Sequence, residues 1–260
     1  MVSHRPEDIR EIAQRCGDET ALLSGSTVLL AGGGGFLGRY FVELFNVLNQ
    51  EVLKKPIRLI VLDNQITSGK WAAGSHSNGC EFISHDVIQP IHLNTPIDYC
   101  IHAAGIASPY YYQKYPLETL EVATSGTKNL LSLCLQQKLR GFLFFSSSEI
   151  YGDPDEKHVP TSESYRGNVS CLGPRACYDE SKRLGETLCT IFHQLHGAPT
   201  KIVRPFNVYG PGMQETDYRV LPNFASRIAR GLPLHIYGTG RQTRTFCYVT
   251  DALVGFLKTL

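Results

Sequence analysis

The chain has 260 residues, 42% of them hydrophobic and 19% charged, with a formal net charge of +1. That length supports one large core, or a domain with a smaller companion, and the balanced charge points to neither nucleic acid nor an anionic membrane surface. No apolar run approaches the ~20 residues that span a bilayer, and no signal-peptide core precedes the first motif, so no membrane association is expected.

Pro6, the acidic pair Glu7 and Asp8, and a stop at Gly17 predict a helix over 6–16. Ile9, Ile12, Ala13 and Cys16 form its apolar stripe, and residues 1–25 read as a helical extension. Residues 27–31 are a buried strand. Gly32-Gly33-Gly34-Gly35-Phe36-Leu37-Gly38 follows, and an apolar helical pattern then runs from Tyr40 to Leu48. Strand, glycine turn and helix in that order make a pyrophosphate cradle. Glycines turn tightly and let the backbone approach, and the helix amino end supplies amide donors. Gly32, Gly35, Phe36, Leu37 and Gly38 are the expected contacts. A second strand over 57–62 ends in Asp63-Asn64. An acid there accepts from both ribose hydroxyls and repels a 2′-phosphate, so NAD is expected over NADP.

Residues 66–80 read as a polar loop carrying Trp71, and 81–84 as a short strand, with Asp86 and Val87 beyond it beside the adenine. A fourth strand over 98–105 ends in Ala103 and Ala104, small enough for close cofactor approach; His102 within it reads as structural. One long helix is expected over 117–136. The fifth strand, 141–145, delivers Ser146-Ser147-Ser148-Glu149 at its carboxyl end, where open α/β sheets bind ligands. After a loop rich in Pro, Gly and Ser, the helix of Tyr178 and Lys182 runs to about His196, and 200–204 is a sixth strand. The alternation predicts an α/β fold, a Rossmann-type doubly wound parallel sheet over 26–204, with 205–260 left as a small further region.

Tyr178 and Lys182 stand four residues apart and so share a helical face. A phenol loses its proton near pH ~10, and a neighbouring ammonium favours the phenolate. Beside an oxidised nicotinamide, such a phenolate takes a proton from a sugar hydroxyl while hydride leaves the same carbon. The serine run offers a hydroxyl to orient the substrate oxygen, and Glu149 is a second acid/base group close by. The eight cysteines form no C-x-x-C pair and no zinc-spaced cluster, so no metal site is expected. Cys100, Cys134 and Cys189 lie in apolar stretches, which suits reduced core thiols and a cytoplasmic setting.

On these residues the chain resembles the extended short-chain dehydrogenase/reductase family, and within it the NAD-dependent epimerases and dehydratases. The glycine motif, Asp63, the Ser/Tyr/Lys set and Arg204-Pro205-Phe206-Asn207-Val208-Tyr209-Gly210-Pro211 carry the resemblance, which covers 26–260. Residues 146–153, 167–169, 173–180, 182–183, 186–187 and 241–246 look like the UDP-glucuronate decarboxylases, which implies a small substrate-binding region over 205–260. The resemblance implies a UDP-sugar substrate and a retained NAD, with UDP-glucuronate converted to UDP-xylose and carbon dioxide through a 4-keto intermediate. It implies Tyr178 as base for the C4 hydroxyl, Lys182 on the nicotinamide ribose, Ser147 beside the C4 oxygen and Glu149 near C5. Implied substrate contacts are Tyr112, Ser148, Asn207, Val220, His235, Tyr237 and Arg244, with 234–238 as a strand along the nucleotide. A homodimer through the helices at about 117–136 and 178–196, and further elements beyond Leu260, are also implied. The alternatives are a 4,6-dehydratase, a 4-epimerase and a non-catalytic dinucleotide sensor. Ser148-Glu149 lacks one acid of the usual dehydratase pair, 4-epimerases usually lack the Glu, and sensors often lose Tyr or Lys. Gly212 departs from the pattern, because decarboxylases usually carry Arg there.

Overall fold

Strands made almost wholly of apolar residues need cover on both faces, and a parallel sheet between two helix layers provides it. The computed structural model describes residues 4–69, 79–215, 217–236 and 238–260. Its main sheet holds β1 (Thr27–Ala31), β2 (Arg58–Asp63), β3 (Cys80–Ser84), β4 (Tyr99–His102), β5 (Gly141–Phe145) and β6 (Thr200–Val203). All pair in parallel, in the order β3-β2-β1-β4-β5-β6. The order reverses beside β1, the switch point at which such sheets open a crevice for ligands. Ala31 pairs with Leu62 on one side and His102 on the other, which aligns the carboxyl ends of the three central strands.

Successive strand residues face opposite sides. Val28 and Leu30 pack with α1 (Pro6–Cys16), α2 (Phe36–Val47) and α8 (Val249–Thr259). Leu29 and Ala31 face the layer of α5 (Ser125–Gln137) and α6 (Ala176–His196). Phe41 and Phe45 are fully buried in the first layer, Phe142 and Phe144 in the second. Each contributes about 1.5–3 kcal/mol by leaving water. α8 reaches the main sheet, with Phe256 edge-on to Phe145 at 4.7 Å. The buried face of α1 is the predicted Ile9, Ile12, Ala13 and Cys16, joined by Asp8, which accepts from the Tyr248 hydroxyl at 2.8 Å.

A second, two-stranded parallel sheet joins β7 (Val208–Tyr209) to β8 (Cys247–Tyr248), and α7 (Val220–Ala229) stands beside it. The remaining helices are α3 (Pro109–Lys114) and α4 (Pro116–Ala123).

Two expectations are corrected. The single helix over 117–136 is two helices, α4 and α5, broken at Thr124 with ψ at −78°. The Thr124 hydroxyl donates to the Leu120 carbonyl at 2.9 Å, a back-bond that competes with the helix. The break also suits packing: a Cβ on Gly126 would stand 2.8 Å from the Val87 side chain. The strand over 234–238 does not form among its described residues, where 234–236 are irregular and Leu234 and Ile236 are exposed. Trp71 and Tyr237 lie outside the described residues. All eight cysteines are free, with Cys100, Cys134 and Cys189 buried. No helix among the described residues is long and apolar enough to cross a membrane.

Candidate active site

The glycine turn is built for contact with backbone. Gly32 has φ +87°, and a Cβ there would lie 2.5 Å from the Ala104 backbone. A Cβ on Gly38 would lie 2.1 Å from the Gly32 carbonyl. Gly35 caps α2, so Phe36 and Leu37 are its first helical residues and their amides begin the positive end. Gly32, Gly35, Asp63, Asp86, Ala103 and Ala104 line one cleft, together with Asn64 and Val87. Asp63 already accepts from the Gly34 amide (2.8 Å), the Gln65 amide (2.7 Å) and the Ser68 hydroxyl (3.1 Å). The last is the kind of donor a ribose hydroxyl is. Asn64 donates to Asp86 at 2.8 Å, and Asn129 holds the carbonyls of Val87, Ile88 and Gln89. A cradle that only glycine fits, a helix amino end and a carboxylate arranged to accept a hydroxyl all suit a dinucleotide.

At the carboxyl end of β5 the serine run meets α6. Tyr178 and Lys182 are buried, and Lys182 Nζ donates to the Phe145 carbonyl at 2.7 Å. That ammonium stands 5.9 Å from the centre of the Tyr178 ring. Burial pushes the Tyr178 phenol up; the Ser147 hydroxyl facing it and the charges of Arg219 and Arg175 pull it down. Burial also lowers Lys182 to about 8. Burial therefore outweighs the ammonium's expected effect on the phenol. Ser147 caps the short 3-10 turn Ser148–Tyr151, its hydroxyl accepting from the Glu149 amide at 3.2 Å.

Glu149 is ion-paired to Arg175, which also meets Asp179 at 3.4 Å. Asp179 is pushed up by burial, and Arg175 opposes the shift. Arg175 was not singled out from the sequence, although its place three residues before Tyr178 was a signal. Arg219, paired with Asp217 at 2.5 Å, was missed too; nothing in its spacing marks it. Arg39 lies at the cradle, donating to the carbonyls of Gly34 and Ser68. His102 is fully buried beside Thr127, and burial lowers it to about 3. The Thr127 hydroxyl donates to the Ala123 carbonyl, so the His102 Nε2 carries the proton between them.

Tyr112 is buried and stacks on Tyr178, with ring centres 5.7 Å apart. Ser148 is half-buried, its amide on the Pro205 carbonyl. Asn207 takes φ +38° and donates to the Thr245 carbonyl at 2.9 Å. Val220 opens α7. His235 and Arg244 sit on exposed irregular chain, and Arg244 donates to the neighbouring Thr243 carbonyl. The structure thus gathers Ser147, Ser148, Glu149, Tyr112, Tyr178 and Lys182, while His235 and Arg244 stand in the outer segment between α7 and β8. A Cβ on Gly212 would lie 3.1 Å from His4, so the amino-terminal segment packs against the glycine that replaces Arg.

Sheet order and glycine cradle define a Rossmann-type dinucleotide scaffold, with Ser147, Tyr178 and Lys182 meeting at the end of its fifth strand. The chain belongs to the NAD dependent epimerase/dehydratase family, whose pattern it matches over residues 28–260. It is 40% identical over 235 residues to UDP-glucuronic acid decarboxylase 1 of Xenopus tropicalis, across 88% of this chain and 52% of that protein. It is 38% identical over 240 residues to UDP-glucuronic acid decarboxylase 6 of Arabidopsis thaliana, across 90% and 66%. The chain thus spans about half to two thirds of the length of these relatives. Among solved structures, the UDP-N-acetylglucosamine 4-epimerase of Methanobrevibacter ruminantium superposes with a TM-score of 0.75 at 26% identity, over 91% of this chain and 73% of that one.

Proposed function

We propose that this chain, with NAD in its glycine cradle, decarboxylates UDP-glucuronate to UDP-xylose. The observation that carries the reading is the convergence of Ser147, Tyr178 and Lys182 at the end of β5, with Glu149 two residues beyond Ser147. The decarboxylase relatives support it. Gly32, Gly35 and the first turn of α2 would hold the pyrophosphate, and Asp63 the adenosine ribose. NAD, when bound, supplies the acceptor of the C4 hydride and later its donor.

Tyr178 takes the C4 hydroxyl proton, and Ser147 orients that oxygen. The resulting ketone lies β to the C5 carboxylate, so loss of carbon dioxide leaves a stabilised enolate. Glu149 governs the proton at C5, and its ion pair with Arg175 holds the side chain in place until the substrate arrives. Lys182 holds the nicotinamide ribose and adds positive charge near the phenolate. Asn207, Val220, His235, Tyr237 and Arg244 are proposed for the nucleotide and diphosphate. The outward faces of α4 and α6 expose Leu117, Leu120, Leu184, Ile191 and Leu195, which supports a homodimer formed through these helices. Eight free thiols suit a cytoplasmic setting.

Proton NMR of the chain with UDP-glucuronate and NAD tests the reading. UDP-xylose is expected. UDP-galacturonate would reassign the chain as a 4-epimerase, and no product with NAD bound would overturn the enzyme reading.

A further inference from the structure

Two residues beyond the Ser/Tyr/Lys set sit on the same machinery. Along α6, Tyr178, Lys182 and Glu186 recur every four residues and share one face. At the end of β5, three consecutive residues meet that face. The Phe145 carbonyl takes Lys182 (2.7 Å), the Ser146 hydroxyl donates to Glu186 (2.5 Å), and Ser147 faces Tyr178. Glu186 is in turn held by Arg204, which leaves β6 next to β5. Two parallel bonds run from the guanidinium to the carboxylate, at 2.9 and 2.7 Å. The remaining Arg204 nitrogen donates to the Tyr151 hydroxyl (2.7 Å) and the Glu163 carbonyl (2.9 Å), closing the turn after the serine run. Ser146 and Tyr151 are buried, and the Glu186 side chain is only 14% exposed.

We infer that Glu186, clamped by Arg204, is a positioning residue: by holding Ser146 it sets where the next residue, Ser147, presents its hydroxyl to Tyr178. Arg204 ties β5, α6 and β6 into one unit, and a forked guanidinium–carboxylate pair fixes direction as well as distance. Without the Glu186 bond, Ser146 keeps its amide on the Val203 carbonyl (2.9 Å) but loses its tie to α6, so the helix no longer fixes the strand end that carries Ser147. The phenol then loses a donor that favours its ionised form, while Arg219, Arg175, Asp179, Lys182, Cys177 and Tyr112 around it stay in place. The inference rests on the proposed role of Tyr178, but its first test needs no substrate.

The test is Ser146→Ala, which removes one hydroxyl and leaves the Glu186–Arg204 pair intact. Ultraviolet difference titration against Tyr178→Phe, in each background, isolates the Tyr178 phenol. An upward move of about half a pKa unit or more is expected, with an unchanged circular dichroism spectrum. With turnover established, kcat falls about tenfold, KM is kept, and the alkaline shift appears in the pH profile. Arg204→Lys, which keeps the charge but not the fork, shows a smaller shift of the same sign. An unmoved Tyr178 titration in folded Ser146→Ala would overturn the inference, whatever the melting temperature does. A wild-type chain that titrates normally but turns over nothing would instead overturn the decarboxylase reading and leave the titration result standing.

Discussion

The glycine-cradle half and the proposed substrate half of this chain use different physics. Around β1, β2 and β4 the site is backbone: a glycine at φ +87°, a helix amino end and strand ends in register. A ligand there meets a surface that cannot move without breaking the sheet. Between α7 and β8 the proposed contacts are side chains on exposed irregular chain, as at His235 and Arg244. The first region is organised before binding; the second must be ordered by it, which costs conformational entropy. Damage to the first should therefore abolish binding or chemistry, and damage to the second should weaken retention.

The largest effect is expected at the junction of the two halves. Tyr178→Phe removes the proposed proton acceptor and little else, since the ring still stacks on Tyr112. Turnover should fall about 10²- to 10⁴-fold with NAD affinity kept, measured by product NMR and calorimetry. Next comes Gly38→Ala. Its methyl would stand 2.1 Å from the Gly32 carbonyl, so backbone must shift. Overpacking of this kind costs about 1–3 kcal/mol, and the cradle should lose NAD in the same titration. A Gly38→Ala chain that binds NAD normally would show that the turn yields, and the contrast between the halves would fail.

Buried charge in the glycine-cradle half gives two pH predictions. Lys182 is lowered from 10.5 to about 8 by burial. Its folded pKa is depressed, so the unfolded chain binds more protons between those values and stability rises with pH across them. Below pH 8 the buried ammonium costs about 3 kcal/mol relative to the unfolded chain. Lys182→Met should thus melt higher at pH 7 yet be inactive, and the gap should close as pH climbs through that window. His102, lowered from 6.5 to about 3, works in acid: stability present above pH 6.5 is lost as pH falls toward 3. About 2 kcal/mol should be gone by pH 5, and His102→Gln should flatten that limb in chemical denaturation.

The same contrast explains what the sequence makes legible. Strands, glycine cradle, Asp63 and the Tyr178/Lys182 face follow from local patterns, because apolar runs, glycine spacing and helical period are properties of neighbouring residues. The break at Thr124 does not, since helical spacing continues across it and only the Leu120 back-bond and the tight Gly126–Val87 approach decide. Arg219 carries no pattern and Arg175 only its place three residues before Tyr178; their contacts arise when the chain brings Glu149 and Tyr178 to them. The expected strand over 234–238 has suitable residues, yet 234–236 are irregular, because a strand is a property of two segments and local pattern shows only one. Burial likewise reverses the simple reading of Lys182 beside Tyr178, because proximity of the pair is legible in the spacing and desolvation is not.

The smallest predicted effect tests the proposed substrate half directly. Arg244 has its guanidinium on the adjacent Thr243 carbonyl and lies on exposed chain. That bond is local to the segment, so an arriving anion must order the guanidinium. A charge-assisted hydrogen bond is worth about 1.5–3 kcal/mol, and the ordering cost removes part of that. Arg244→Ala should therefore raise KM for the nucleotide sugar about three- to tenfold, with kcat within about twofold of wild type. Steady-state kinetics decide it. A loss confined to KM marks contacts that serve substrate and transition state alike, as the outer segment is expected to do. A fall in kcat of comparable size would mean that Arg244 acts only once C4 is oxidised. The division between a half that does chemistry and a half that retains would then run through the outer segment rather than between it and β5.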